Sequence, residues 1–314
     1  MRVWLIGSGT MSQSYAAVLK ALATDFVTIG RGDGSAQAFE QACGAPVVRG
    51  GLQGFLASIP AMADAAIVSV GVEELAQTTE QLLAHGVTRI LVEKPGALDL
   101  KSLVGLRDLA VRQGAQVLIG YNRRYFASVR KAQELAAADG GLQSCFFEFT
   151  EWGHEIETLT KGPGVKEHWL LSNSSHVIDL AFHLIGAPTQ LNALTRGSLP
   201  WHTSASVFVG SGLSERSVPF AYHANWDAPG RWGVELLTRN LRMFLRPMEA
   251  LQVMRRGSVA IEPMALDDGI DKAFKPGLYH QVSDFLAGRA GALCTIDEQV
   301  AAWPAYCRMG AYTA

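Results

Sequence analysis

Arg2-Val3-Trp4-Leu5-Ile6-Gly7-Ser8-Gly9-Thr10-Met11-Ser12 is the stretch that decides the fold. An apolar run of strand character stops at Gly7, and the segment from Met11 to about Leu22 is rich in strong helix formers. A glycine turn between a strand and a helix is the setting of a dinucleotide-binding fingerprint. Gly7 suits the tight turn and Gly9 lets backbone approach a pyrophosphate. Ser8, Thr10 and Met11 lie where a helix N-terminus offers unpaired N–H groups to an anion. Ser12 takes the third small-residue position of the pattern. A glycine-rich turn that binds nothing is the bland alternative. Walker-type nucleotide binding is set aside, because no Gly-Lys-Ser/Thr follows the turn.

Working outward, Phe26–Ile29 reads as a second buried strand whose tip continues Gly30-Arg31-Gly32-Asp33. A carboxylate at such a tip holds the ribose hydroxyls of NAD, whereas an Arg pairs with the 2′-phosphate of NADP. Arg31 is the nearer of the two, so NADP is the expected cofactor, with NAD the alternative if the loop turns Asp33 inward. Helical and apolar segments then alternate: helices at 35–43, 72–85 and 98–113, and strands near Val47 and at 65–70, 88–93 and 116–120. That alternation predicts an α/β, doubly wound parallel sheet over residues 1–120.

From 121 to 314 the pattern changes. Helices at 126–138 and 171–185 are followed by runs at 190–195, 205–209, 217–225, 232–238 and 241–245, joined by Gly, Pro and Asn. Short connections of this kind predict a second α/β domain with a largely antiparallel open sheet. The helices expected near 278–286 and 296–309 are candidates to pack back on the first domain.

Composition narrows the function classes. Of 314 residues, 48% are hydrophobic and 18% charged, which argues against disorder. The 27 basic and 29 acidic residues leave a net charge of −2, no broad footprint for nucleic acid. Cys43, Cys145, Cys294 and Cys307 are far apart and form no CxxC, which fits a reduced compartment. No basic-then-apolar leader precedes the first strand, and no apolar stretch approaches the roughly 20 residues of a membrane span. A cytoplasmic protein with no membrane partner is expected.

Glu93-Lys94-Pro95 ends the apolar run Arg89–Val92. Ligands of open parallel sheets collect beyond the carboxyl ends of strands, so Lys94 is placed to orient a hydroxyl or support a developing alkoxide. Pro95 restricts Lys94 to extended backbone, whether the bond between them is cis or trans.

Four segments together, GSGTMS at 7–12, LVEKP at 91–95, GYNRRY at 120–125 and HVIDLAFHLIG at 176–186, resemble the Gfo/Idh/MocA oxidoreductase family. The resemblance implies an NAD(P)-dependent enzyme with a Rossmann domain, and a second domain that holds a sugar or cyclitol. It also implies a homodimer or homotetramer, Glu93 and Lys94 beside the cofactor, and His176 as the histidine of the site. Two departures stand out. The usual Thr-Pro-Asn-x-x-His loop is replaced by Val70-Gly71-Val72-Glu73-Glu74-Leu75, and the Asp expected four residues before the histidine is Ser172.

Helical spacing places Ser172 and His176 on one face, with Asp179 and His183 nearby. Lys94 and His176 are therefore the candidate catalytic pair. Asn122, Arg123, Lys166 and Asn173 join them as candidate substrate contacts, and Asp179 as an anchor for His176 or its helix. His176, Asp179 and His183 lack the tighter spacing of a zinc motif, and hydride transfer needs no metal. The expected reaction is reversible oxidation of a secondary alcohol in a sugar-like substrate. The competing readings are an NADPH-dependent imine or unsaturated-ring reductase and a non-enzymatic NADP-binding assembly module.

Overall fold

A computed structural model describes residues 1–313. The chain runs β1 (Arg2–Ile6), α1 (Thr10–Ala21), β2 (Asp25–Ile29), α2 (Asp33–Cys43), β3 (Val47–Val48), α3 (Gly51–Ala57), β4 (Ala65–Val68), α4 (Leu75–Ala84), β5 (Arg89–Val92), α5 (Leu100–Arg112) and β6 (Gln116–Ile119). It continues with α6 (Ala127–Ala138), β7 (Ser144–Phe149), α7 (Gly153–Thr158), α8 (Ser175–Ile185), β8 (Pro188–Arg196), β9 (Val207–Ser214), β10 (Pro219–Asn225) and β11 (Trp232–Leu237). The last elements are β12 (Leu241–Leu245), β13 (Gln252–Arg255), β14 (Ile261–Pro263), α9 (Gly269–Ala273), α10 (Leu278–Ala287), β15 (Cys294–Thr295) and α11 (Ile296–Gly310).

These elements form two compact units. The first comprises Met1–Tyr121 and Ala273–Ala301, and the second Asn122–Lys272 and the chain from Ala302 onward. In the first, the strands lie in the order β15-β6-β5-β4-β1-β2-β3. All pairs are parallel except the edge pair β15·β6. The central strands are apolar but for the arginine that opens β1 and β5, because helices cover both faces: Val3 to Ile6, Ala65 to Val68 and Ile90 to Val92 are all buried. The returning α10 packs on α1, and Arg89 donates to the Phe285 carbonyl within this unit.

The second unit carries an eight-stranded sheet in the order β14-β13-β12-β11-β7-β10-β9-β8. Neighbours are antiparallel except β7 and β10, whose long crossover makes them parallel. Strict alternation along β7 buries Cys145, Phe147 and Phe149, and alternation along β10 buries Phe220, Tyr222 and Ala224. Phe182 of α8 meets Phe147 and Phe220 edge-on at 5.8 and 5.3 Å between ring centres, fixing the helix on this face.

Sequence and structure differ at several places. The expected continuous helix at 171–185 begins as a π-helical turn over Leu170–Ser174, and only then becomes α8. The expected helix at 72–85 begins as a 3₁₀ turn, Val72–Glu74. The short elements α3, α7, α9, β13, β14 and β15 have no counterpart in the sequence reading.

Candidate active site

Each unit carries a candidate site of its own. In the first, β1 ends at Gly7, which adopts φ +116°, and a Cβ there would lie 2.5 Å from the Ser69 carbonyl oxygen. Only glycine fits this turn. The Ser12 hydroxyl bonds that of Ser69 at 2.8 Å, so the third small position of the fingerprint closes the helix on the neighbouring strand with a hydrogen bond. Gly9 is the N-cap of α1, makes no side-chain cap, and has open space where a Cβ would stand. The uncapped helix start therefore faces a crevice of about 460 Å³ lined by Gly7 to Met11, Arg31, Gly32, Ser35, Ser69 to Gly71 and Glu74. An uncapped N-terminus behind a side-chain-free approach suits the pyrophosphate of a dinucleotide.

At the tip of β2, the Arg31 guanidinium pairs with Glu74 on the crevice wall. The Asp33 carboxylate is turned out, 92% exposed and 3.4 Å from Arg49 Nε. Ser35 lines the crevice and bonds the Ser8 hydroxyl at 2.9 Å. Glu74 belongs to the segment that departs from the resembled pattern.

At the tip of β5, the Tyr15 hydroxyl donates to Glu93 Oε1 at 2.6 Å. Loss of solvent raises the Glu93 carboxyl above its usual range. The Tyr15 hydrogen bond and the Lys94 and Lys275 charges pull it back. Burial and the neighbouring carboxylate push the Tyr15 phenol well up. The Lys94–Pro95 peptide is cis, and Gln299 donates to the Pro95 carbonyl at 3.1 Å. Lys94 thus leaves β5 from a well-held backbone.

In the second unit, a cavity of about 390 Å³ opens beyond the end of β7. Thr150, Glu151 and Trp152 follow that strand, Trp169 and Asn173 come from the approach to α8, and Arg231 and Trp232 from the start of β11. Arg123 lines it as well, its guanidinium 4.8 Å from the Trp232 ring centre. His176 is buried on the first turn of α8, with its ring 6.2 Å from that of Trp232. The Trp152 indole donates to the Gly230 carbonyl at 2.8 Å, yet the side chain stays largely exposed. Asn173 donates to Glu151 Oε1 at 2.9 Å.

Of the expected substrate contacts, Arg123 and Asn173 line this cavity; His176 does not line it but is buried next to Trp232 of its wall, and Asn122 is buried beside Arg123. Lys166 does not line the cavity. It is half-buried and donates to the Glu157 carbonyl at 2.8 Å. Asp179 pairs with Arg124, so it anchors α8 to the turn Asn122–Tyr125. Among the described residues, no group of three or more His, Cys, Asp and Glu side chains is placed to hold a metal ion. Nor is any helix long and apolar enough to cross a membrane.

Sequence reasoning missed Glu151, Arg231 and Trp232 as cavity walls. The available signal was their position at strand margins, Glu151 just past the end of β7 and Arg231 and Trp232 at the start of β11.

With the fingerprint turn, crevice and strand-tip lysine described, comparison with known proteins is decisive for the first unit. Residues 1–121 match the Gfo/Idh/MocA oxidoreductase family, NAD-binding Rossmann fold. Residues 1–121 thus carry the NAD-binding Rossmann domain of that family, which classes the chain among NAD(P)-dependent oxidoreductases. No curated protein sequence matches it significantly.

Solved structures of similar fold include UDP-N-acetylglucosamine 3-dehydrogenase GnnA from Acidithiobacillus ferrooxidans, at 17% identity and TM-score 0.76, covering 98% of this chain and 96% of that one. The WlbA dehydrogenase from Bordetella pertussis, in complex with NADH and UDP-GlcNAcA, shares 14% identity at TM-score 0.74, covering 98% and 94%. Levoglucosan dehydrogenase, in complex with NADH, shares 13% at TM-score 0.79, covering 98% and 95%. At these identities the likeness is one of fold.

Proposed function

We propose that this protein is an NADP-preferring dehydrogenase that acts reversibly on a secondary alcohol or ketone of a sugar, nucleotide sugar or cyclitol. The observation carrying the cofactor choice is the tip of β2: Arg31 and Ser35 line the crevice, whereas Asp33 is turned out toward Arg49. A guanidinium and a hydroxyl suit a 2′-phosphate, and the carboxylate that would select free ribose hydroxyls is directed elsewhere. The substrate class is favoured by the tryptophan, arginine and amide walls of the second unit's cavity. It is in keeping with the nucleotide-sugar enzyme and complex among the similar folds.

In this reading, Gly7 to Met11 hold the pyrophosphate through backbone N–H groups, and Arg31 holds the 2′-phosphate. The bound nicotinamide supplies the hydride acceptor or donor. The Lys94 ammonium orients the reacting oxygen and supports negative charge on it. His176 gives or takes the hydroxyl proton. Arg123 and Asn173 hold the remaining polar groups of the substrate. A homodimer or homotetramer in the cytoplasm completes the proposal.

The test pairs cofactor titration with a substrate panel. NADPH and NADH binding are followed by nicotinamide fluorescence, and hydride exchange by nicotinamide absorbance across sugars, nucleotide sugars and cyclitols. NADPH should bind about tenfold or more tightly than NADH, the value of one charge-assisted pairing. At least one alcohol should be oxidised. Equal affinities would remove the cofactor preference. Activity on imines with none on alcohols would favour the reductase reading, and binding without any hydride exchange would favour an assembly module.

A further inference from the structure

We infer that Glu151 is the positioning residue of the second unit's cavity, clamping the π-turn Leu170–Ser174 and fixing how Asn173 is presented. This rests on the reading of that cavity as the substrate's. Glu151 stands two residues past the end of β7, is buried and lines the cavity. Its Oε1 receives two hydrogen bonds, from Asn173 Nδ2 at 2.9 Å and from Ser174 Oγ at 2.7 Å.

The segment it grips is unusual in backbone as well as in sequence. Leu170–Ser174 is a π-helical turn directly before the helix that carries His176, and such wide turns are frequent at functional sites. The serines on either side are turned to backbone: Ser172 Oγ donates to the Val165 carbonyl at 2.9 Å and Ser175 Oγ to that of Leu171 at 2.6 Å. Asn173 and Ser174 are the two members whose side chains reach Glu151.

An asparagine amide has a donor end and an acceptor end, and either can face a ligand unless a neighbour fixes the flip. A carboxylate only accepts. By taking one N–H of Asn173, Glu151 determines which end of the amide each direction meets, and hence whether a substrate hydroxyl there must donate or accept. The carboxylate acts through Asn173, setting specificity and geometry.

Three variants test this: Glu151→Ala, Glu151→Gln and Asn173→Ala. The glutamine keeps an acceptor oxygen for Asn173 and Ser174, whereas the alanine removes it. E151A should lower kcat/KM about 100-fold, as loss of substrate positioning does, while NADPH affinity stays within about twofold. E151Q should recover most of that loss. N173A should reproduce E151A, and the double variant should be no worse than either single one, the non-additivity of a shared interaction. Kinetics within threefold of the parent for E151A, a double variant whose losses multiply, or E151Q as impaired as E151A would each overturn the inference.

Amide hydrogen exchange over 170–176 in the cofactor-free protein reads the clamp independently of turnover. Exchange should accelerate in E151A and not in E151Q, and unchanged protection in E151A would overturn the clamp. A parent protein that turns over no substrate would instead count against the proposed function, leaving the exchange measurement to decide the clamp.

Discussion

The Arg124 guanidinium grips the Asp179 carboxylate with two hydrogen bonds, Nε to Oδ2 at 2.9 Å and Nη2 to Oδ1 at 2.6 Å, and both side chains are buried. This pair ties the turn carrying Arg123 to the helix carrying His176, both within the second unit. Breaking a buried pair from one side strands a charge away from water. Asp179→Asn should cost about 3–5 kcal/mol in urea unfolding. The exposed pair Lys131–Glu134 is the control, and Glu134→Ala should cost under about 1 kcal/mol. A D179N cost no larger than that of E134A would contradict this account of the pair.

The two fingerprint glycines should fail in different ways. Gly7→Ala places a Cβ against the Ser69 carbonyl at a left-handed φ, so it should destabilise the protein by about 1–3 kcal/mol. Gly9 has φ −83°, and an added Cβ would meet nothing within 4 Å. Gly9→Ala should therefore leave thermal stability unchanged yet weaken NADPH binding, because the methyl occupies the approach to the helix start. G9A binding NADPH as the parent does would remove the pyrophosphate from this turn.

Arg31 and Glu74 set up a competition that can be measured. A 2′-phosphate must draw Arg31 away from a carboxylate that also repels it. Glu74→Gln should tighten NADPH several-fold and leave NADH nearly unchanged, whereas Arg31→Glu should weaken NADPH about tenfold or more. Parallel changes for the two nucleotides would place the 2′-phosphate elsewhere.

His183 gives a pH signature. Burial first, then the Arg124 and Arg216 charges, lower its pKa to about 3 from an ordinary 6.5. Below pH 6.5 the unfolded chain takes up this proton while the folded one does not. The stability it confers is thus full above 6.5 and lost as pH falls toward 3, by about 1.4 kcal/mol per pH unit. In chemical unfolding between pH 7 and 4, His183→Gln should lose stability less steeply than the parent on acidification. Identical slopes would show that the imidazole titrates normally.

What the sequence reveals follows from the range of the interactions involved. The β1–Gly7–α1 entrance and the strands to β6 are legible because each buried parallel strand is a local apolar run ended by a turn. The π-turn is not, since Leu170–Ser174 has a composition that an α-helix accommodates equally well, and the wider turn is secured by Glu151, some 20 residues away. The Arg124–Asp179 pair joins residues 55 apart, so local spacing could offer Asp179 only as an anchor for His176 or its helix and could not point to Arg124. Lys166 suits a ligand by its charge, and its bond to the Glu157 carbonyl nine residues earlier is not visible in local spacing.

The most direct measurement of the central claim is hydride transfer by Lys94→Met, compared with the parent on the best alcohol of the panel and with NADPH binding recorded for both. A methionine keeps the side chain's apolar length and removes the ammonium that would orient and stabilise the reacting oxygen. The account predicts NADPH affinity within about twofold and a turnover loss of roughly 100-fold or more. Parental turnover in the variant would contradict it.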